Sequence, residues 1–325
     1  MPRIDDNILD CSIYLYPSVQ EAHDGEKSGG SGFLVGVPSK VNEHRFYGYA
    51  ITNSHVIREA GSPIIRLNTK EGDMDILPID KQDWKHHPNG DDLAAYPLSI
   101  DVDKYRMKFI PINLFITQEI ISVEKIGAGD EVFMVGRFIG YDGKQQNIPT
   151  VRFGNIAIGV VQPLPHRRGY LQDSFLIETR SLSGYSGSPV FVHILPFSKR
   201  PKSKGWSKEK GPWLLGVDWG HEHFFEKVLE DDGKTEVAEK WKVRTNSGIT
   251  NVVPVWKLLE LLNIKEFVEM RKRDEERMEE EQKKKVSGVT LDSLDSDVLT
   301  KEQFHEILAK ASQPIKKPES DSKSA

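Results

Sequence analysis

Apolar and polar residues alternate over short stretches for most of the chain, from about residue 9 to about residue 255. Aromatic and β-branched residues dominate these stretches, and Gly, Pro, Asn and Asp lie between them. This pattern is typical of short β-strands joined by turns. Clear examples are residues 12–16, 32–37, 47–52, 131–135, 174–178, 189–193 and 213–217. Because helical periodicity is almost absent here, the pattern predicts an all-β sandwich or a pair of barrels.

A different pattern begins after Pro254, where residues 255–263 take on helical spacing. Trp256, Leu259 and Leu262 fall on one stripe of this segment, since residues three apart lie on the same face of a helix. We therefore expect a closing helix over residues 255–263 that packs against the preceding β-structure.

The remaining residues, 266–325, are predicted to form a charged helical extension and a disordered tail. Residues 266–285 are almost all charged, which is typical of a solvated helix or a flexible linker. A capping-box pattern from Thr300 to Gln303 precedes apolar positions and predicts a short amphipathic helix. Residues 312–325 are rich in Pro, Ser and Lys, which favours disorder.

Composition narrows the classes of function. The 325 residues carry a formal net charge of -5, which argues against general nucleic-acid binding. With one cysteine, Cys11, the chain forms no intrachain disulfide, and this predicts a reducing compartment. The first residues do not resemble a signal peptide, and no run approaches the roughly 20 apolar residues that span a bilayer. We therefore expect a cytoplasmic protein that binds neither nucleic acid nor membrane.

Three segments contain the residue types of nucleophilic catalysis. A predicted strand ends at His55, and two adjacent carboxylates, Asp91 and Asp92, precede another strand. Ser186 lies in a glycine-flanked turn that leads into a buried strand. Each has an ordinary alternative: a satisfied core histidine, a turn or cap carboxylate, and a plain turn. Together, in this order and at the ends of predicted strands, they favour a catalytic site.

Acyl-transfer chemistry explains why these residue types are needed together. A serine hydroxyl is a weak nucleophile at neutral pH and needs an adjacent base to take its proton. A neutral imidazole suits that task, and a carboxylate fixes its tautomer and stabilises the imidazolium that forms. The sequence therefore indicates His55 as base and Ser186 as nucleophile, with the amides of Gly184 and Ser186 as the oxyanion hole.

In order and spacing, these segments resemble the His, Asp and Ser motifs of the trypsin-like (chymotrypsin-fold) serine peptidases. The resemblance covers roughly residues 9–262. It extends to strand-like segments at residues 30–35, 129–136 and 216–220. Because Asp-Leu-Ala is the family pattern, the resemblance selects Asp92 over Asp91 as the triad carboxylate. The segment is similar to the bacterial high-temperature-requirement proteases, although the residues after Leu262 do not resemble a PDZ domain.

The resemblance implies an all-β fold of two antiparallel six-stranded β-barrels with a C-terminal helical extension and an active site between the barrels. Barrel one would comprise about residues 9–120 and barrel two about residues 121–255, within a peptidase domain of residues 9–265. The implied activity is that of a serine endopeptidase, acting through an acyl-enzyme, without a cofactor, and under the control of a partner or effector. The alternative is a catalytically silent peptide-binding module on the same scaffold.

Two positions depart from the family pattern. Tyr185 precedes the serine where zymogen-activated members carry an aspartate, so activation through that ion pair is not available. Asp218 occupies a position that is usually serine and lies against the triad carboxylate, where two carboxylates would raise each other's pKa. Asp218, Trp219 and Gly220 resemble the edge strand that pairs with substrate, and we expect all three to contact it.

Other candidate binding residues lie outside the triad segments. Arg180 lies six residues before Ser186, where the family often has the floor of its specificity pocket. A cation there would favour an acidic substrate side chain, unless Arg180 points to solvent. The basic segment 199–210 is either a solvated loop or a docking surface for an acidic partner. Residues 266–325 are a second candidate surface for a regulatory partner.

Two pairs of histidines are candidate metal ligands. Adjacent residues of a strand point to opposite faces, so His86 and His87 could not easily share one ion. His221 and His223 could face the same side, but no further His or Cys completes a tetrahedral site. The sequence therefore predicts no metal.

Overall fold

The computed structural model describes residues 3–27, 29–137, 146–166, 168–179, 184–195, 210–230, 234, 237 and 241–287. Some predicted features lie outside these residues: Arg180, most of the basic segment 199–210, the helix at 300–303 and the tail 312–325. The chain divides into a compact unit of residues 1–272 and a second unit of residues 273–325.

The first half of the chain forms a sheet of eight strands. They are β1 (Ser12–Tyr16), β2 (Gly30–Pro38), β3 (Phe46–Thr52), β4 (Ile64–Asn68), β5 (Met74–Leu77), β6 (Lys85–His86), β7 (Ala94–Leu98) and β8 (Ile110–Pro111). Their order is β5-β4-β1-β2-β3-β7-β6, with β8 paired to β2. Neighbours are antiparallel except for the short β2–β8 pair, which is parallel.

The second half forms a closed barrel of six strands. They are β9 (Glu131–Gly136), β10 (Thr150–Pro165), β11 (Leu171–Thr179), β12 (Pro189–Ile194), β13 (Lys210–Lys227) and β14 (Lys242–Pro254). Around the ring the order is β10-β11-β14-β13-β12-β9, and every pair is antiparallel. The predicted six-stranded antiparallel barrel is confirmed for this half.

The prediction of a matching six-stranded barrel in the first half is wrong. Within the described residues, β5 and β6 end the sheet without closing on each other, so this sheet is a half-barrel of eight strands. Two of its strands, β6 and β8, contain only two residues each. Segments that short show no alternation of apolar and polar residues, and for this reason the sequence pattern does not reveal them.

The helices that precede or connect the strands are short, and the two longest helices follow the last strand. They are α1 (Asp6–Leu9), α2 (Val19–Asp24), α3 (Ser54–Arg58), α4 (Gln118–Glu124), α5 (Val255–Leu262) and α6 (Lys265–Ser287). The predicted closing helix is confirmed as α5, but its stripe is wrong because Leu259 is 38% exposed while Leu258 is buried. Within the described residues, no helix is long and apolar enough to cross a bilayer.

Successive side chains of β2 and β3 point to opposite faces of the sheet and enter two different cores, one of which is shared by both halves of the chain. Leu34 and Ala50 point into a core made by the first sheet alone. Phe33 and Ile51 point the other way, into a core shared with β9, β12 and α5. A side chain that is fully buried in this way stabilises the fold by about 2 kcal/mol. The segment after β3 and the turn before β12 therefore lie on neighbouring edges of one shared core.

Candidate active site

His55 and Asp92 form a buried pair. His55 lies in the one-turn helix α3, which begins just after β3, and not at a strand end as predicted. Its Nδ1 is 2.6 Å from Asp92 Oδ2, and its backbone N–H donates to Asp92 Oδ1 over 2.9 Å. The side chain of Asp92 is fully buried and that of His55 is 8% exposed. The structure thus brings together two of the three predicted triad residues.

Backbone contacts fix the loop that carries Asp92. Asn53 Nδ2 donates to the Asp92 carbonyl oxygen over 2.8 Å. The Asp92 N–H donates to Gln172 Oε1 over 2.8 Å, and Gln172 Nε2 donates to Asp91 Oδ1 over 2.7 Å. Gln172 belongs to β11 of the closed barrel, so the loop is held from both halves of the chain. Sequence patterns gave no sign of Gln172, because its partners lie about 80 residues away.

Asp91 belongs to a different cluster, beside α5. His87 Nδ1 is 2.9 Å from Asp91 Oδ2, and His87 Nε2 is 3.3 Å from Glu260 Oε2. These distances suit ion pairs, although neither contact is a well-aligned hydrogen bond. Asp91, His87 and Glu260 lie close enough to hold a metal ion. However, the two carboxylates flank different ring nitrogens and Lys257 Nζ is 3.5 Å from Asp91, which favours an ion-pair network.

His166 is a site residue that the sequence analysis missed. Its Nε2 lies 3.3 Å from Asp92 Oδ2, beside the contact that His55 makes. Burial raises the pKa of Asp92, but hydrogen bonds from His166 and His55 outweigh burial and hold that pKa well below its usual range. Asp92 is therefore ionised at neutral pH, as the partner of a catalytic imidazole must be.

The turn that carries Ser186 is anchored to β2 through Ser31. The Ser31 N–H donates to the Ser186 carbonyl oxygen over 2.9 Å, and Ser31 Oγ donates to the Gly184 carbonyl oxygen over 2.8 Å. Thr52, three residues before His55, donates from Oγ1 to the Ser31 carbonyl oxygen over 2.7 Å. A continuous chain of hydrogen bonds thus connects the serine turn to the segment that positions His55.

Gly187 is required for this close approach. Its φ of +90° lies in the left-handed region. A Cβ at this position would lie 2.0 Å from the Ser31 carbonyl oxygen and 2.4 Å from Thr52 Oγ1. The glycine after the serine is therefore explained by packing against β2 as well as by turn geometry.

The contact between Ser186 and His55 is not made. Within the described residues, no hydrogen bond joins Ser186 Oγ to His55 Nε2. In the same part of the chain, the amides of Gly184 and Ser186 donate to no acceptor. Ser186 is half-buried, so its hydroxyl is accessible at the surface of the turn.

Tyr185 packs where an aspartate would form an ion pair in a zymogen-activated enzyme. Its side chain is fully buried, and its hydroxyl contacts Thr150 Oγ1 and accepts from Arg152 Nε over 3.0 Å. Arg152 also lies over the Tyr185 ring. These contacts attach the serine turn to β10 through a tyrosine side chain in place of a carboxylate.

Comparisons with known proteins were made against families, curated sequences and solved structures. No family model and no curated protein matches the chain. The active form of the Rv3671c protease from M. tuberculosis matches with 15% identity and a TM-score of 0.40, over 78% of this chain and 80% of that one. The HtrA-type protease AlgW with a decapeptide matches with 16% identity and a TM-score of 0.39, over 74% and 52%. Deg5 matches with 17% identity and a TM-score of 0.36, over 66% and 81%.

At these identities and TM-scores, the matches carry no argument about the fold or the activity of this chain. The activity of the chain has to be inferred from its own side chains.

Asp218 lies in β13 with its side chain buried, so the carboxyl group cannot contact a substrate. Its Oδ1 accepts from the Gly220 N–H over 2.9 Å. Burial raises the pKa of Asp218 to about 8. The expectation that Asp92 and Asp218 raise each other's pKa is wrong, because the Asp92 pKa is lowered and burial accounts for that of Asp218.

We expect Asp218→Asn to change how stability depends on pH. An ordinary aspartate ionises near pH 3.8, so between about pH 4 and about pH 8 the folded protein binds more protons than the unfolded chain. The free energy of unfolding of the wild type should therefore fall as pH rises through this window, and the variant should lack this fall. Chemical denaturation of both proteins across the window measures the difference. Parallel curves would contradict a protonated, buried Asp218.

The remaining predicted substrate contacts are only partly accessible. Trp219 is 7% exposed and donates from Nε1 to Ser174 Oγ over 2.9 Å. Gly220 is half-buried. The β12–β13 ladder ends at Val217, and Asp218 then pairs with the serine turn: its N–H donates to the Ser188 carbonyl oxygen over 2.9 Å and its carbonyl oxygen accepts from the Gly187 N–H over 2.8 Å. Within the described residues, Trp219 and Gly220 lie beyond this pairing.

Two further features do not contribute to this site. Glu222, between the histidines weighed as metal ligands, accepts from Asn251 Nδ2 over 2.5 Å, and the His223 side chain is outside the described part of the chain. A cavity of about 640 Å³ on the first sheet has Phe46 and Phe109 in its lining but none of the predicted site residues.

Proposed function

We propose that this protein is a serine endopeptidase that hydrolyses peptide bonds through an acyl-enzyme. The observation that carries the proposal is the buried His55–Asp92 pair, with 2.6 Å between Nδ1 and Oδ2, next to the anchored Ser186 turn. An ionised carboxylate can only accept, so His55 carries its proton on Nδ1. The Nε2 lone pair is then left to accept the serine proton.

The reaction follows from these positions. Ser186 Oγ attacks the peptide carbonyl carbon while His55 Nε2 takes its proton, and Asp92 stabilises the resulting imidazolium. The amides of Gly184 and Ser186 stabilise the oxyanion. His55 then protonates the leaving amine, and a water molecule activated by the same imidazole hydrolyses the ester. Contacts between nucleophile and base often tighten only when substrate binds, which accounts for the open contact between Ser186 and His55.

The substrate is a protein or peptide in an extended conformation. Trp219 and Gly220 of β13 lie beyond the pairing with β12 and the serine turn, and a peptide could add beside them as a further strand. A preference for acidic side chains through Arg180, and control by a partner that binds segment 199–210 or residues 266–325, remain predictions.

A catalytically silent peptide-binding module is the alternative, and the missing Ser186–His55 hydrogen bond favours it. Incubating the full chain with an unstructured protein and identifying products by mass spectrometry separates the two functions. Cleavage at defined sites would support the peptidase and give the side-chain preference. Binding without cleavage at every pH tested, together with no reaction of Ser186 with a fluorophosphonate, would support the silent module.

A further inference from the structure

The Asp92 carboxylate contacts two imidazoles at the same oxygen. Oδ2 lies 2.6 Å from His55 Nδ1 and 3.3 Å from His166 Nε2. The side chains of Asp92 and His166 are both 0% exposed, so bulk water cannot take over the second contact. In such an environment a lost donor leaves a charged acceptor underpaired, which is costly.

The surroundings of His166 fix its tautomer. The backbone N–H of Arg168 donates to His166 Nδ1 over 3.2 Å, so Nδ1 is unprotonated. The ring proton is then on Nε2, where it points at Asp92. Ring contacts hold this orientation, with centroid distances of 4.6 Å to Tyr170 and 5.0 Å to Trp219. His166 is therefore a neutral, preoriented donor.

Within the described residues, no other side chain of the closed barrel donates to the Asp92 carboxylate. Asp218 accepts from Gly220, Trp219 donates to Ser174, and Gln172 accepts from the backbone of Asp92. Other titratable or charged groups near this cluster are His86, Asp91, Arg168 and Tyr170. Among the described side chains, only those of His55 and His166 contact the Asp92 carboxylate with an imidazole ring.

We propose that His166 is a positioning residue that holds the Asp92 carboxylate in the orientation His55 requires. Its hydrogen bond also disperses part of the negative charge of that carboxylate. The catalytic consequence rests on the proposed peptidase function. Without His166, Asp92 Oδ2 would have His55 as its one imidazole donor, and the carboxylate could turn within its pocket. The full negative charge would then favour the protonated form of His55, which cannot act as a base.

Two substitutions of His166 distinguish the effect of losing its N–H donor from the effect of losing its ring. His166→Phe keeps a ring between Tyr170 and Trp219 but removes the donor. His166→Gln removes the ring but places an amide N–H at a similar reach. For the full-length proteins we would measure the rate at which a fluorophosphonate labels Ser186 across pH, and the low-field proton resonance of His55 Nδ1–H. Thermal unfolding would establish that each variant is folded.

The phenylalanine variant is expected to label about 10- to 100-fold more slowly, the loss expected for one hydrogen bond to a charged group. The acidic limb of its pH–rate profile should move to higher pH, and its His55 resonance should shift. The glutamine variant should stay within about threefold of the wild type, with the wild-type resonance. If the phenylalanine variant does not fold, His166→Met replaces it as a variant without a donor.

Equal losses in the phenylalanine and glutamine variants would overturn the proposal, because the ring and not the donor would then matter. An unchanged profile and resonance in the phenylalanine variant would also overturn it. If the fluorophosphonate does not label Ser186 in the wild type, the proposed peptidase function fails. The His55 Nδ1–H resonance is then the one test of positioning by His166. A shift in the phenylalanine variant and none in the glutamine variant would then still support positioning by His166.

Discussion

Replacing Ser186 by alanine is expected to leave the fold intact and to slow peptide hydrolysis by a factor on the order of a million, as in another triad enzyme. The anchors of the turn explain why the fold should survive. Both hydrogen bonds from Ser31 go to backbone carbonyl oxygens of the turn, and Gly187 packs against Ser31 through its backbone. None of these contacts involves Ser186 Oγ. Without that oxygen, no acyl-enzyme can form on the turn.

Ser188→Ala is the matched control for this prediction. Ser188 lies two residues further along the same turn, and its buried Oγ has no hydrogen-bond partner within the described residues. Its removal should leave fluorophosphonate labelling and peptide cleavage unchanged, with stability unchanged or slightly increased. Cleavage that persists in Ser186→Ala, or that is lost in Ser188→Ala, would place the nucleophile elsewhere.

Local features of the sequence indicate the candidate triad residues but not the residues that surround them. His55, Asp92 and Ser186 are candidates because each lies beside a strand with a readable pattern, and glycines mark the serine turn. The same alternation predicts a sandwich or a pair of barrels, and the closed six-stranded barrel is implied by the family resemblance. His166 could not be found, since a histidine among Pro165, Arg167 and Arg168 has no local feature that connects it to a carboxylate 74 residues earlier.

Long-range contacts explain the remaining differences between prediction and structure. Ser31 reads as an ordinary strand residue, yet it holds a turn 153 residues away. The half-barrel has eight strands because pairs of only two residues, such as β6 with β7, extend it. The pKa of Asp218 depends on how deeply β13 is buried, which the spacing of residues along the chain does not reveal.

The charges around Asp92 form a consistent set. The pKa of about 8 keeps Asp218 mainly protonated at neutral pH, and the tautomer of His166 makes that residue a neutral donor. Of Asp92, Asp218 and His166, Asp92 alone therefore carries a negative charge, while the neighbouring Asp91 is paired with His87 and Lys257. A single carboxylate against His55 stabilises the imidazolium that forms as Ser186 loses its proton, without a second carboxylate competing for the proton.

Asp92→Asn is expected to lower the rate constant for peptide hydrolysis by about ten thousandfold while the protein stays folded, by analogy with this change in a well-studied triad. The asparagine oxygen can accept at only one of the two carboxylate positions. If its amide faces His55, the imidazole must carry its proton on Nε2, towards Ser186, and cannot act as a base. Steady-state cleavage of a peptide identified by cut-site profiling measures the effect.

Asp91→Asn is the control that distinguishes the two adjacent carboxylates. Asp91 contacts His87, Gln172 and Lys257 but not His55, so its replacement should lower stability while activity stays within a few-fold of the wild type. The two substitutions change the same chemical group at neighbouring positions of one loop. A large loss of activity in Asp91→Asn with full activity in Asp92→Asn would mean that the imidazole takes its orientation from another group. In that case the 2.6 Å contact between His55 and Asp92 would be structural, because a base oriented by Asp92 could not tolerate the amide.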